Sequence, residues 1–537
     1  VRWPWQERNE LVVDIDDGSL ARDLEVQQVP TKKSRVRGPL LMIRSHVAAT
    51  ISRLTAGWTT VPESAESVTY NDLTSLRARS RERKKNDPLA RRIGTLFENN
   101  VLGAQGVQYQ AQVLEDDRPA DAPPQVDTKA NQAIETSWKS WGRPENCDAS
   151  GRANFAEMQR QALSSVIFDG EILVRFLFGF DNPWRFAIML HDAEMMDHKL
   201  VEKAPNGNWI KQGVEVDQWN RPVAYWIKDY KGPRSNGLEI VNRHVRIPAL
   251  GQPNGQMLHV FKSDQVGAVR GLPWLSNGLQ TMKMLDGYLE AALAAARVGA
   301  SQVLFFEKDP GAQGFRGDEE DPETGDQTIN LEPGEANELP AGVRISDWSP
   351  KYPHGEMPEF VKVMHRRVGM SAGLSYTSVA NDTGDSNFAG ARQGLIEERA
   401  TYKSVQGWWI SSFCEPIATA WLKQALLSRQ ILHPLTKRPL PADRIDKFSA
   451  HRWAAPRWDW VDPLKDAQAK RLLLEIGATT ESAIIRELGL QPDDVLDERQ
   501  REIEERRKRQ IRTTVDVALE QNEGGAPAPE QEGDASE

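Results

Sequence analysis

The stretch Phe155-Ala156-Glu157-Met158-Gln159-Arg160-Gln161-Ala162-Leu163-Ser164-Ser165-Val166-Ile167-Phe168-Asp169-Gly170-Glu171-Ile172-Leu173-Val174-Arg175-Phe176-Leu177-Phe178 decides the fold class. Its first half is helical in period: Phe155, Met158, Ala162 and Val166 follow one another at spacings of 3, 4 and 4, one face of an amphipathic helix. At Glu171 the period changes. Residues 171–178, 184–190, 209–216, 223–230, 244–247 and 257–261 are short segments rich in β-branched and aromatic side chains. Turn formers separate them: Asp181-Asn182-Pro183, Asn206-Gly207, Asn220-Arg221-Pro222 and Gly251-Gln252-Pro253-Asn254-Gly255. Helices followed by a mostly antiparallel sheet that packs on them predict an α+β domain.

Working outward toward the N-terminus, Trp138 and Trp141 lie on a further helix, preceded by a Pro-rich loop at 115–127. Asp87-Pro88 starts another, since Asp caps well and Pro is preorganised at the first helical position; Leu89, Ile93, Leu96 and Phe97 share its apolar face. Asn71 or Asp72 is the expected cap of the helix before it, which carries Leu73, Leu76 and several arginines. Those arginines (Arg77, Arg79, Arg81, Arg83, Arg91 and Arg92) suit solvent, the interleaved carboxylates or a neighbouring subunit better than DNA. Residues 1–40, with Pro30, the basic run 32–37 and Gly38-Pro39, read as a flexible arm.

Toward the C-terminus, residues 272–298 predict one long helix. Leu275, Leu279, Met282, Asp286, Leu289 and Leu293 recur near a heptad, with one polar interruption at Asp286. The pattern fits a seam within the chain and a contact between subunits equally. Residues 307–344 are an acidic insertion, partly loop. A second helix lies near 357–368, and a polar, Gly-containing loop occupies 380–390. A helical stretch over 391–430 should bend or break at Gly407 and Pro416. Further helices fill 463–512, the last almost wholly charged, and residues 522–537 have the composition of a disordered tail.

The chain has 537 residues with 67 basic against 77 acidic, a net charge of −10, which argues against a simple DNA-gripping protein. No stretch of about 18 consecutive apolar residues is present, so no membrane span is expected. The start, Val1-Arg2-Trp3-Pro4-Trp5, has no apolar run of the secretory kind. Cys147 and Cys414, the two cysteines, form no disulfide framework, and a reducing compartment is the expectation.

Candidate chemistry is sparse. There is no Gly-Lys-Ser/Thr loop and no His-Glu-x-x-His. His191 and His198, with Asp192, Glu194 and Asp197 between them, are a candidate metal site or, alternatively, a sheet edge with solvated acids. Gly369-Met370-Ser371-Ala372-Gly373 matches Gly-x-Ser-x-Gly, which exposes a nucleophile only on a strand-to-helix elbow. Ser371 would then need Asp382 or Asp385 and His433 or His451. The alternative is a helix ending on Gly369 or Gly373. No catalytic residue, metal or cofactor is expected.

Several segments, in order, resemble the lambda-type bacteriophage portal proteins. The most specific is Ser375-Tyr376-Thr377-Ser378-Val379-Ala380-Asn381-Asp382, continuing through Ser386-Asn387-Phe388-Ala389-Gly390-Ala391-Arg392 to Glu397-Glu398-Arg399; Phe388 stands where the family often has Tyr. Others are Ala78-Arg79-Ser80-Arg81-Glu82, Asn86-Asp87-Pro88-Leu89-Ala90-Arg91-Arg92 and Asn99-Asn100-Val101-Leu102-Gly103. Arg270-Gly271-Leu272-Pro273-Trp274-Leu275 follows His259-Val260-Phe261, and a further segment is Gly170-Glu171 together with Arg221-Pro222-Val223-Ala224-Tyr225. Together they cover roughly residues 40–490.

The resemblance implies a portal fold assembled as a ring, usually of twelve subunits, at one capsid vertex of the virion, with assembly in the host cytoplasm. Its parts would be a flexible N-terminal arm (1–40), a mixed helix and sheet wing (41–271), stem helix 1 (272–304), an acidic clip (305–352), stem helix 2 (353–375), a tunnel loop (376–390), a wing helix and return (391–462), a helical crown (463–512) and a disordered acidic tail (513–537). Leu275, Leu279, Met282, Leu289 and Leu293 would pack the stem between subunits. Asn381, Asp382, Thr383, Gly384, Asp385, Ser386 and Asn387 would face double-stranded DNA in the channel. The implied partners are the terminase large subunit, head-completion or adaptor and tail proteins, and the major capsid and scaffold proteins, with no membrane. A net-acidic ring agrees with a sliding polyanion, because tight phosphate contacts would hold it. The alternatives are a serine hydrolase using Ser371 and a different ring-forming head–tail connector.

Overall fold

The computed structural model describes residues 62–116, 125–228, 244–300, 355–384, 388–458, 463–487 and 492–509, with four short strands inside 305–346. The expected arm (1–40), the tail (513–537) and Asp385, Ser386 and Asn387 lie outside the described residues.

Helix α1 (Ala65–Asn86) starts at Ser64, whose hydroxyl accepts the Ser67 N–H. The cap expected at Asn71 or Asp72 is too late, because the first turns of α1 are polar and carry no apolar period. Asp87 ends α1 and caps α2 (Pro88–Phe97), accepting the Leu89 N–H at 2.8 Å, with Pro88 at the first position as read. Strand β1 (Gln108–Ala111), α3 (Thr128–Trp141) and the single turn α4 (Pro144–Cys147) follow. Helix α5 (Phe155–Asp169) opens on a reciprocal capping box between Asn154 and Glu157.

Strand β2 (Glu171–Phe178) is the centre of a three-stranded antiparallel sheet, between β3 (Phe186–His191) and β9 (Met257–Phe261). Between those two, β4 (Glu202–Lys203), β5 (Trp209–Lys211), β6 (Val214–Val216), β7 (Pro222–Lys228) and β8 (His244–Pro248) form a second antiparallel sheet in chain order. Residues 209–216 are thus two strands, not one. Gln212 (φ 54°) and Gly213 (φ 84°) turn the chain in the left-handed region, and a Cβ on Gly213 would meet Met196 Cγ at 2.8 Å.

Helix α6 (Leu279–Ala300) begins later than the expected 272. Pro273 and Trp274 lie in a turn tied to α5 through Trp274 N–H to Ile167 O, 2.9 Å, and the first helical bonds run from Gly278 and Leu279 back to Leu275. The acidic insertion holds β10 (Phe305–Lys308), β11 (Glu319–Glu320), β12 (Gln327–Thr328) and β13 (Val343–Ser346). They are nested antiparallel pairs, β11 with β12 inside β10 with β13. Helix α7 (Met357–Ala372), the short α8 (Tyr376–Ala380) and α9 (Phe388–Trp409) follow. Gly407 stays inside α9; the ladder widens to a π turn at Ile410–Cys414, just before Pro416 in α10 (Glu415–Leu427). Proline has no N–H to give and crowds the carbonyl four residues back, so the widening sits where the helix must absorb it. The chain returns through α11 (Ile445–Phe448) to β14 (His451–Ala454), which pairs with β1. Helices α12 (Pro463–Glu475), α13 (Glu481–Glu487) and α14 (Pro492–Arg509) complete the described chain.

The main core joins α2, α3, α5, α9, α10 and the β2 sheet around an aromatic group of Trp138, Trp141, Phe155, Phe186 and Trp421. Its polar handles are satisfied: Trp141 Nε1–H donates to Phe186 O at 3.0 Å and Trp184 Nε1–H to Ser137 Oγ at 2.9 Å. A second, smaller core between the two sheets contains Leu173, Val214, Tyr225, Ile247 and Met257. Cys147 and Cys414 are both buried and free, and burial pushes the Cys147 thiol up to about 12.

Candidate functional site

Helices α6 and α7 pair in opposite directions. Gly278, at the start of α6, abuts Ser371 near the end of α7, and Tyr288 meets Phe360 with ring centroids 4.8 Å apart. The expected seam on α6 divides in two. Leu275, Leu279 and Met282 are 0%, 6% and 1% exposed, buried in the chain's own core, so they are withdrawn from any neighbouring subunit. The cause is the contact of this end of α6 with α1 and α7, which pattern alone does not reveal. Leu289 and Leu293 are 36% and 53% exposed, and Met284, Phe360, Val363 and Met370 are exposed along the same helix pair. Asp286, the interruption in the heptad, is ion-paired to buried Arg83 of α1, which also contacts Glu82 and Asp87.

The polar loop after α7 stands on a firm base. The α8 cap, Ser375, gives its hydroxyl to Glu398 Oε2 at 2.6 Å; Ser378 Oγ donates to the same oxygen at 2.7 Å and Tyr402 Oη to Oε1 at 2.5 Å. Glu398 is buried on α9, so one carboxylate clamps α8 from below. Burial and the Glu398 carboxylate push the Tyr402 phenol up. Arg92 Nε donates to Ser378 O at 3.2 Å from α2. Asn381 ends α8 in the left-handed region (φ 53°). Asp382 accepts the Gly384 N–H at 2.9 Å and the Tyr376 hydroxyl at 2.8 Å, which hold its carboxyl below the usual range. Asn381, Thr383 and Gly384 are exposed around it.

The two candidate chemical sites do not assemble. Ser371 lies inside α7, its hydroxyl donating to Val368 O at 2.7 Å, and Gly373 (φ 68°) is the helix C-cap. No strand precedes it, so the motif is a helix terminus and not a nucleophile elbow. Asp382 is engaged by Tyr376, and His451 lies 2.9 Å from Glu415. His191 Nδ1 is 3.3 Å from Met195 Sδ and His198 Nε2 is 2.7 Å from Thr74 Oγ1. Among the described residues no group of three or more His, Cys, Asp or Glu gathers to hold a metal, and no helix is long and apolar enough to cross a membrane.

What sequence reasoning missed is a buried charge node. Glu171, at the first position of β2, is fully buried. It binds Arg77 Nη2 at 2.9 Å, Arg270 Nε at 2.9 Å, His259 Nε2 at 3.0 Å and the Gly271 N–H at 3.1 Å. Arg77 also reaches Asp169 O and Glu194, and Arg270 reaches Gln212 O at 2.7 Å in the second sheet. Burial alone would raise the Glu171 pKa; the charge of Arg270 and the bond from His259 outweigh it and hold the group well below the carboxylate range. Gly170 and Gly271 let the backbones touch here, for a Cβ on Gly271 would lie 2.1 Å from Gly170 O. The available signal was the acid at the start of a strand whose other residues, Arg175 apart, are apolar.

Comparison with known proteins bears on this arrangement directly. A family model, "Phage portal protein, lambda family", matches residues 52–406. The chain belongs to the lambda family of phage portal proteins. It is 30% identical over 498 residues to a probable portal protein of Halomonas phage phiHAP-1, covering 92% of each chain. It is 21% identical over 412 residues to portal protein B of Escherichia phage lambda, covering 70% of this chain and 74% of that one. A chain from the neck of an empty gene transfer agent particle aligns at 14% identity and a TM-score of 0.39, over 79% of this chain and 94% of that chain, too distant to carry weight.

The portal-family segments noted in the sequence meet in space. Gly170-Glu171 and Arg270-Gly271 are one node. The Ser375–Asp382 segment is held to Glu398, from its own continuation, and to Arg92 of the early helices.

Proposed function

We propose that this chain is the subunit of a portal ring of twelve copies at a single capsid vertex, the channel through which double-stranded DNA is packaged and later ejected. Membership of the lambda portal family over residues 52–406 carries the reading. In it, α6 and α7 are the stem, and the insertion 305–352 between them is the clip. Residues 376–390 are the tunnel loop, with 381–387 facing DNA, 41–271 with 391–462 the wing, and 463–512 the crown. The exposed apolar residues of α6 and α7 support the stem assignment: Leu289, Leu293, Val363 and Met370 are only partly covered within one subunit. A closed ring needs such heterologous faces. The loop offers DNA small polar groups and, before Phe388, no aromatic ring to stack on a base.

The ring docks the terminase large subunit, whose separate ATPase drives packaging, and afterwards head-completion, adaptor and tail proteins. The major capsid and scaffold proteins surround it. The chain itself performs no catalysis and needs no cofactor. It resides in the virion and assembles in the host cytoplasm. Electron microscopy of the purified protein, with its mass in solution, tests the proposal. Twelve-fold rings with a hole wide enough for duplex DNA are expected. A compact monomer or dimer under all salt conditions overturns it.

A further inference from the structure

A groove of about 710 Å³ runs between α9 and β14. Four basic side chains line it, Arg399, Lys403, Arg452 and Arg457, and no acidic one does, although the whole chain carries a net −10. Lys403 and Arg452 are exposed. Its apolar lining includes Ile396, Trp453 and Trp458. One wall is a strand edge. Among the described residues β14 pairs with β1 and no other strand lies against it. The continuation of β14 is drawn to α9, where Gln406 Nε2 donates to Pro456 O at 2.9 Å. An open edge beside apolar pockets is the geometry that accepts an added extended strand, main chain to main chain, with alternate side chains inward.

We infer that this groove binds an extended acidic segment, and that the occupant is residues 513–520 of the same subunit. The segment Thr513-Thr514-Val515-Asp516-Val517-Ala518-Leu519-Glu520 alternates with period 2. Val515, Val517 and Leu519 fall on one face, Asp516 and Glu520 on the other. Residues 513–537 contain seven acids and no base, so their charge complements the groove. The segment begins four residues past Arg509, the last residue of α14. The strand would close the β14 edge, its apolar face on the tryptophans and its acids on Lys403 and Arg452.

Amide hydrogen exchange of the full chain tests this. Protection of amides 513–520 on the order of tenfold over a free peptide is expected. The double variant Lys403→Glu, Arg452→Glu should lose that protection with an unchanged melting temperature, since both side chains are exposed. Adding Asp516→Lys and Glu520→Lys to it should restore the protection. Free-peptide exchange of 513–520 in the unmodified chain overturns the inference, and so does protection indifferent to the charge reversal. Binding of a 30-base-pair duplex that the double variant abolishes, with 513–520 exchanging freely, would replace it with a nucleic-acid groove. None of these outcomes depends on ring formation.

Discussion

At the scale of single residues, Glu171 carries more than any other side chain. Two guanidiniums, an imidazole and a backbone N–H converge on a carboxylate that has no access to water. A buried charge stripped of its partner is expensive, so Glu171→Gln should cost about 3–5 kcal/mol in urea unfolding, by leaving Arg77 and Arg270 unbalanced. The node also sets a pH limit. Glu171 is depressed below 4.5, and His259, chiefly through burial, below 6.5. A depressed group contributes stability that is complete above its unfolded pKa and lost as pH falls from there through the folded value. Melting temperature should therefore decline below about pH 6.5 as His259 is forced to charge, and more steeply below about pH 4.5. His259→Gln should make the first decline shallower; an unaltered slope there would remove His259 from the account. None of this network was legible beforehand. Its members lie on four separate stretches, and pairing across 94 and 99 residues leaves no mark in local periodicity.

At the scale of elements, local physics did most of the placing where one rule was sufficient. Strands β2 and β9 and the Asp87-Pro88 helix start are where residue type, turn formers and capping put them. The start of α1 and the insertion strands were not legible, since polar turns and two-residue strands carry no period. The α6 seam is the instructive case. One heptad-like repeat serves two purposes, and burial separates them. Leu279→Ala should destabilise the subunit by about 2–5 kcal/mol, as for any filled core site. Leu289→Glu with Leu293→Glu should leave subunit unfolding nearly unchanged and prevent ring formation, seen by sedimentation. Loss of subunit stability in the second variant would show those leucines to be core. The loop behaves as a unit on its base. Deleting 381–387 should leave rings intact, because Glu398 still clamps α8, while DNA packaging or retention falls. Rings that fail to form would place the loop in an interface instead.

At the scale of the whole molecule, residues 522–537 should be dispensable for folding. Trimming them should shift the melting temperature by no more than a degree or two, a terminal segment outside any core having little to lose. A large fall would show that the tail is integrated into the fold.

Composition, periodicity and capping determined by themselves that this chain is α+β, where its central strands and most helices lie, and which ordered segments it shares with portal proteins. Those are properties of neighbouring residues, and chain order preserves them. Only the tertiary structure decided that Ser371 is a helix terminus, that half of the α6 leucines belong to the subunit core, and that Glu171, Arg77, His259 and Arg270 share one buried site. Each of these depends on which surfaces exclude water together, and that is set by packing between elements far apart in the chain.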